Sequence, residues 1–152
     1  MNKRHCHGYC TEIFHHQILI AALAGFEGDA IVLYGDTPFI RPETLEKIAI
    51  ARQENDVVVL GFDAADPGRY GRLVTDGEEL MRIVEYKDAS PQIRAIRLCN
   101  SGVIAAKASV LFDLIDDVDN TNSSGEYYLT DIVSIAKLRG MTASVVRCDE
   151  AE

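Results

Sequence analysis

Residues 30–38 read Ala-Ile-Val-Leu-Tyr-Gly-Asp-Thr-Pro, and the fold class turns on them. Ala30 to Leu33 is a short apolar, β-branched run, the pattern of a buried strand. Tyr34-Gly35-Asp36-Thr37-Pro38 then breaks it. Pro42 suits the first turn of a helix. Leu45, Ile48 and Ala49 follow at helical spacing through Arg52. A strand, a break and a helix open an α/β unit. A strand ending in Gly-Asp sets a carboxylate at the C-terminal edge of the sheet, where ligands bind in open α/β folds. Gly35 lets backbone or ligand come close. Asp36 is then either a Mg²⁺ ligand bridging to phosphate oxygens or a residue that only ends the strand and starts a turn.

The alternation continues in both directions. Ile18 to Phe26, ILIAALAGF, is an apolar helical stretch. Val57 to Leu60, VVVL, is a second buried strand, and Asp66-Pro67-Gly68 is a turn. Leu73-Val74, a turn at Asp76-Gly77, and Leu80 to Tyr86 read as a β-hairpin. Pro91 opens a short helix through Ile96. Leu98 to Ala106 is a strand interrupted by Asn100-Ser101-Gly102. Ser109 to Val118 is helical, with Val110, Leu111, Leu114 and Ile115 on one face. After the polar loop Asp119 to Gly125, a helix runs from Tyr127 to Leu138, closed by Gly140. Ala143 to Val146 is the last strand. Strands separated by helices predict an α/β sheet, mostly parallel, with an antiparallel hairpin inserted.

Composition bounds the function. A chain of 152 residues predicts one domain. Its 47% hydrophobic and 26% charged residues are ordinary globular values. No run approaches the ~18 apolar residues of a membrane span, and no apolar core follows the basic residues of the start, as a signal peptide requires. A cytoplasmic location is the expectation. The 15 Lys and Arg against 24 Asp and Glu leave a net charge of −9, the wrong sign for tracking nucleic acid. An acidic protein binds a phosphorylated small molecule through a divalent cation or a local cluster of Arg and Lys. Four cysteines, at positions 6, 10, 99 and 148, do not make a disulfide framework and suit a reducing compartment. Residues 1–17 hold all four histidines and two of the cysteines without clean periodicity. Their spacing matches no zinc pattern, so they are expected to be an atypical, disordered segment ahead of the domain at 18–152.

Further constellations carry both a chemical and a structural reading. Asp66-Pro67-Gly68-Arg69-Tyr70-Gly71-Arg72 is an anion-contacting loop or an ordinary turn with exposed arginines. Glu85, alternating with Val84 and Tyr86, is an acceptor for sugar hydroxyls or one half of a surface Glu–Lys pair. Asn100, on an otherwise apolar strand, needs partners if buried, from a sugar or from neighbouring backbone. Gly125-Glu126-Tyr127-Tyr128-Leu129-Thr130-Asp131 starts a helix with acidic residues near its positive end.

LYGDTPFI, DPGRYGRLV, IVEYKDAS, CNSGV and GEYYLTDIV occur here in one order. That order resembles the uridyltransferase domain of the bacterial bifunctional enzymes that make UDP-N-acetylglucosamine, over residues from about Leu19 onward. The resemblance implies a Rossmann-like nucleotidyltransferase fold and a mixed sheet with an inserted hairpin. It implies the reaction of GlcNAc-1-phosphate with UTP to give UDP-GlcNAc and pyrophosphate. It also implies site residues: Tyr34 and Gly35 at the strand end, Asp36 on Mg²⁺, Gly71 as a backbone contact to the sugar nucleotide, Glu85 as acceptor from the sugar hydroxyls and Asn100 as the amide that reads the sugar. Ser101 stands where the family usually has Thr.

The departures shape the expectation. The family's L-A-A-G-x-G-T-R-M segment and downstream Lys, which hold the triphosphate, are absent from the sequence, as is its uracil-reading pattern before Leu19. A second metal ligand, an Asn, would fall beyond Glu152, and the acetyltransferase β-helix is missing. The expectation is a partial domain that keeps the sugar side and one metal ligand and lacks the nucleotide side. Three functions compete: an active nucleotidyltransferase; an inactive remnant that binds a sugar phosphate, a UDP-sugar or a partner chain; and a module that associates through a sheet edge left open by missing strands. The second is preferred, because the phosphate-holding loop is absent.

Overall fold

The computed structural model describes residues 25–33 and 40–150. Residues 1–17, the expected helix up to residue 24, and Tyr34, Gly35 and Asp36 lie outside them; Gly25 and Phe26 are not helical. The elements are β1 (Asp29–Val32), α1 (Pro42–Ala51), β2 (Val57–Asp63), β3 (Arg72–Asp76), β4 (Glu79–Val84), α2 (Pro91–Arg94), β5 (Leu98–Lys107), α3 (Ala108–Ile115), a 3-10 turn (Leu129–Asp131), α4 (Ile132–Leu138) and β6 (Ala143–Cys148).

The six strands form one sheet in the order β1-β5-β2-β6-β4-β3, with β3 also pairing to β5. The expectation of a mostly parallel sheet is corrected. Of the pairings, β2 with β6 is parallel, and β5 runs antiparallel to both β1 and β2. The inserted hairpin is the cause. It reverses the chain once, so β5 enters the sheet running against its neighbours.

Burial follows the period of two. On β2, Val57 and Val59 enter one core with Leu111, Leu114, Ile132 and Val133 of the helices α3 and α4. Val58 and Leu60 enter a second core with Ile48 of α1. Both faces of β2 are covered, which is why its sequence is a continuous apolar run and not an alternating one. Each of these four side chains is at most 1% exposed, and burial of each contributes about 1.5–3 kcal/mol. On α1 the buried positions are Thr44 and Ile48, while Ala49, expected in the stripe, is exposed. Among the described residues no helix is long and apolar enough to cross a membrane.

Three local expectations are also corrected. The hairpin turn is Gly77-Glu78, with Gly77 at φ +59, one residue later than the sequence suggested. Strand β4 ends at Val84, so Glu85 to Asp88 form a turn closed by the Asp88 N–H on the Glu85 carbonyl at 3.0 Å. Tyr127 lies in no regular element and Tyr128 is extended, so neither starts the helix, which begins as the 3-10 turn at Leu129. Asn122 holds this stretch out of the helix: its Oδ1 accepts from the Glu126 N–H at 3.2 Å, and its Nδ2 donates to the Glu126 carbonyl.

Candidate functional site

Strand register assembles the site. Arg72 of β3 is paired with Val84 of β4 on one side and with Cys99 of β5 on the other. Gly71, Glu85 and Asn100 are the next residues beyond that triple, so three distant segments meet at one end of three strands. The Asn100 N–H donates to the Gly71 carbonyl at 2.9 Å. A Cβ added at Gly71 would stand 3.3 Å from Glu85 Oε1 and 3.4 Å from Oε2. Any side chain at residue 71 would crowd that carboxylate.

Glu85 is half-buried and fixed from behind. The Thr130 hydroxyl donates to Oε1 at 3.0 Å, and Thr130 is itself 7% exposed. The surface Glu–Lys pairing considered for Glu85 does not form. Lys87 instead donates to Ser124 Oγ at 3.0 Å and lies 3.8 Å from Glu126. Asn100 Oδ1 accepts from the Gly102 N–H at 3.1 Å. This bond bends the backbone at Asn100-Ser101-Gly102, where Gly102 takes φ +86 and the β2–β5 register shifts. The interruption predicted in this strand is therefore a β-bulge inside a continuous element, of the kind that re-aims side chains beside functional sites.

A cleft of about 450 Å³ opens over Glu85, lined also by Arg69, Tyr86, Lys87, Glu126 and Tyr128. That volume suits a small polar ligand. Tyr86 is held by Arg94, whose Nε donates to the Tyr86 carbonyl at 3.2 Å and whose guanidinium lies 4.2 Å from the ring centre. Asp131, beside Thr130, has its carboxyl pushed above the usual range, first by burial and then by the charges of Asp119, Glu85 and Asp88. The cleft thus carries two carboxylates, Glu85 and Glu126, which accept hydrogen bonds from hydroxyl groups, beside the cations of Arg69 and Lys87.

Thr130 and Tyr128 were not singled out as site residues from the sequence. Their signal lay in the GEYYLTDIV motif, where helix capping and aromatic packing were the competing explanation. Among the described residues no group of three or more His, Cys, Asp or Glu side chains could hold a metal ion. Asp36 lies outside them, so the described residues do not by themselves make a magnesium site.

No protein-family model matches the chain. It is 61% identical over 132 residues to the bifunctional protein GlmU of Ruegeria pomeroyi, covering 87% of this chain and 29% of that protein. It is 61% identical over 139 residues to the GlmU of Cereibacter sphaeroides, covering 90% of this chain and 31% of that protein. The sheet superposes on a putative glucose-1-phosphate thymidylyltransferase from Bacillus anthracis with a TM-score of 0.63 at 21% identity, covering 86% of this chain and 50% of that one. The inositol-1-phosphate CTP transferase of T. maritima gives 0.63 at 14% identity, over 90% of this chain and 52% of that one. The fold is therefore the Rossmann-like nucleotidyltransferase fold. By sequence the chain belongs with the GlmU proteins, of whose length it spans about 30%.

Proposed function

We propose that the cleft beside Gly71, Glu85 and Asn100 binds the sugar of a sugar 1-phosphate or of a UDP-sugar. The chain is then the sugar-reading part of a sugar-phosphate nucleotidyltransferase that joins GlcNAc-1-phosphate to UTP and releases pyrophosphate. One observation carries the reading. The register at Arg72 sets an unhindered backbone at Gly71 against a carboxylate that Thr130 holds on one oxygen. Its other oxygen is left to accept from a sugar hydroxyl, and a charge-assisted bond of this kind contributes about 1.5–3 kcal/mol.

Nucleotidyl transfer needs no protein nucleophile; positioning and charge neutralisation do most of the work. Mg²⁺, held in part by Asp36, would supply the charge neutralisation. Gly71, Glu85 and Asn100 would orient the sugar so that its phosphate oxygen faces the nucleotide. The sequence has no L-A-A-G-x-G-T-R-M segment to hold a triphosphate, so this chain alone binds sugar phosphate without turning it over. A cytoplasmic location goes with this reading and with the free thiol of Cys99. Calorimetry with GlcNAc-1-phosphate, UDP-GlcNAc and UTP tests it. The two sugar ligands are expected to bind more tightly than UTP, and the reverse order would overturn the assignment.

A further inference from the structure

Arg72 is 2% exposed, and among the described residues it has no carboxylate within ion-pair distance. A cation taken out of water in this way needs acceptors in place of the lost water. Its partners are three backbone carbonyls. Nε donates to Arg94 O at 3.3 Å, one terminal nitrogen to Gly68 O at 3.0 Å and the other to Tyr70 O. The planar guanidinium fork fixes the relative positions of groups it bonds together.

Those carbonyls come from two segments that adjoin cleft-lining residues, Arg69 in one case and Tyr86 in the other. Gly68 and Tyr70 lie in the loop that leads into Gly71. Arg94 is the last residue of α2, and its own side chain holds Tyr86, the neighbour of Glu85. The main chain of Arg72 also pairs with Val84 and Cys99, the residues before Glu85 and Asn100. One buried side chain therefore ties together the segments that carry Gly71 and Glu85.

We propose that Arg72 is a positioning residue, which holds the 68–71 loop in the shape that sets the Gly71 backbone against the Glu85 carboxylate. What the cleft binds rests on the sugar reading above; what Arg72 holds does not. The competing role is bulk stability alone, and the test separates the two.

The full chain and its Arg72→Lys variant, which keeps the charge and loses the fork, are compared by thermal melting, amide hydrogen exchange and calorimetry with GlcNAc-1-phosphate. The Asn100 amide of the variant, which donates to the Gly71 carbonyl, is expected to exchange at least about tenfold faster while those of β2 stay protected, and affinity falls by about tenfold or more. Uniformly faster exchange across the sheet, or unchanged exchange at Asn100, would overturn the proposal. Should the variant not fold, the Nε–H of Arg72 in the unsubstituted chain decides by NMR: slow exchange that follows the Asn100 amide as urea is raised supports it, and exchange matching the β2 amides overturns it. If the unsubstituted chain does not bind GlcNAc-1-phosphate, the sugar reading fails, and the exchange pattern still judges Arg72.

Discussion

The carboxylate of Glu85 stands against the Gly71 backbone so closely that a methyl group at Gly71 would lie 3.3 Å from Oε1 and 3.4 Å from Oε2. Strand register brings the two residues face to face. Arg72 pairs with Val84, so the residues just beyond them face each other. A one-residue slip of β4 would turn its side chains to the opposite face and move Glu85 off Gly71.

Gly71→Ala tests this contact. Gly71 does not use the left-handed backbone region, so alanine adds no strain of its own there. The added methyl displaces the carboxylate and Ile83 by a few tenths of an ångström. Stability should change by less than about 2 kcal/mol, while GlcNAc-1-phosphate affinity falls by about tenfold or more, the loss expected for one well-placed hydrogen bond to a charged group. Melting and calorimetry on the same preparation check both. A variant that binds as well as the parent would place the ligand elsewhere.

Glu85→Ala removes the acceptor outright. The loss expected is about 1.5–3 kcal/mol of binding, or roughly ten- to a hundredfold in affinity. Glu85→Gln keeps an oxygen for the Thr130 hydroxyl and should fall between. Calorimetry that finds all three chains equal would remove Glu85 from the site.

The sequence made the strands legible where burial on both faces leaves a continuous apolar run, as at Val57 to Leu60. Strand direction was not legible, because a run of apolar residues reads the same in a parallel and an antiparallel pair; β5 shows this. Glu85 was identified from the IVEYKDAS motif, but its placement on a strand failed, since Glu85 to Asp88 close a turn through backbone bonds that any side chains permit. Gly71 and Asn100 were each found alone. Their meeting depends on the pairing of Arg72 with Cys99, a contact between segments 27 residues apart that no local pattern encodes. Thr130 is not legible as a site residue, because threonine in a helix-starting motif usually caps or packs, and here it reaches across to Glu85 in the turn after β4.

Pyrophosphate release by this chain in the presence of UTP, Mg²⁺ and GlcNAc-1-phosphate should stay at background. Loss of a single preorganised charge-stabilising donor costs about 10²–10³ in rate, and the sequence lacks the whole Gly-rich triphosphate segment. Clear turnover in a coupled phosphate assay would show that other residues hold the triphosphate.

Strand β1 should mediate association with a second copy. Among the described residues it is hydrogen-bonded on one side, to β5, and ends the sheet. Ile31 and Leu33 are 37% and 47% exposed. An open edge with apolar side chains pairs readily with another strand, and a two-fold pairing of identical edges closes on itself. The net charge of −9 opposes this, so the dimer should tighten as salt screens the charge. Light scattering after size exclusion should show a dimer, and Ile31→Lys, a charge on the edge, should return it to monomer. A monomer at every salt concentration would defeat the prediction.

Asp131→Asn should stabilise the chain at neutral pH. Burial, then Asp119, Glu85 and Asp88, raise the Asp131 carboxyl above its ordinary value, which in an unfolded chain is about 3.9. The folded state therefore holds this proton more tightly than the unfolded one. Between the ordinary value and the raised one, stability falls as pH rises, and above both the full penalty of carrying the charge remains. Asparagine keeps the shape and never ionises. Its position at the start of α4 works the other way, because a negative charge there gains about 0.3–1 kcal/mol from the helix dipole. Burial and three neighbouring carboxylates, two of them on the turn that carries Glu85, outweigh that gain. The variant should melt higher than the parent at pH 7, and the gap should narrow as pH is lowered through the raised folded value towards the ordinary unfolded value of about 3.9. A parent chain that melts higher than the variant at pH 7 would mean that the helix dipole, or a cation drawn to the cleft, holds Asp131 ionised at no cost.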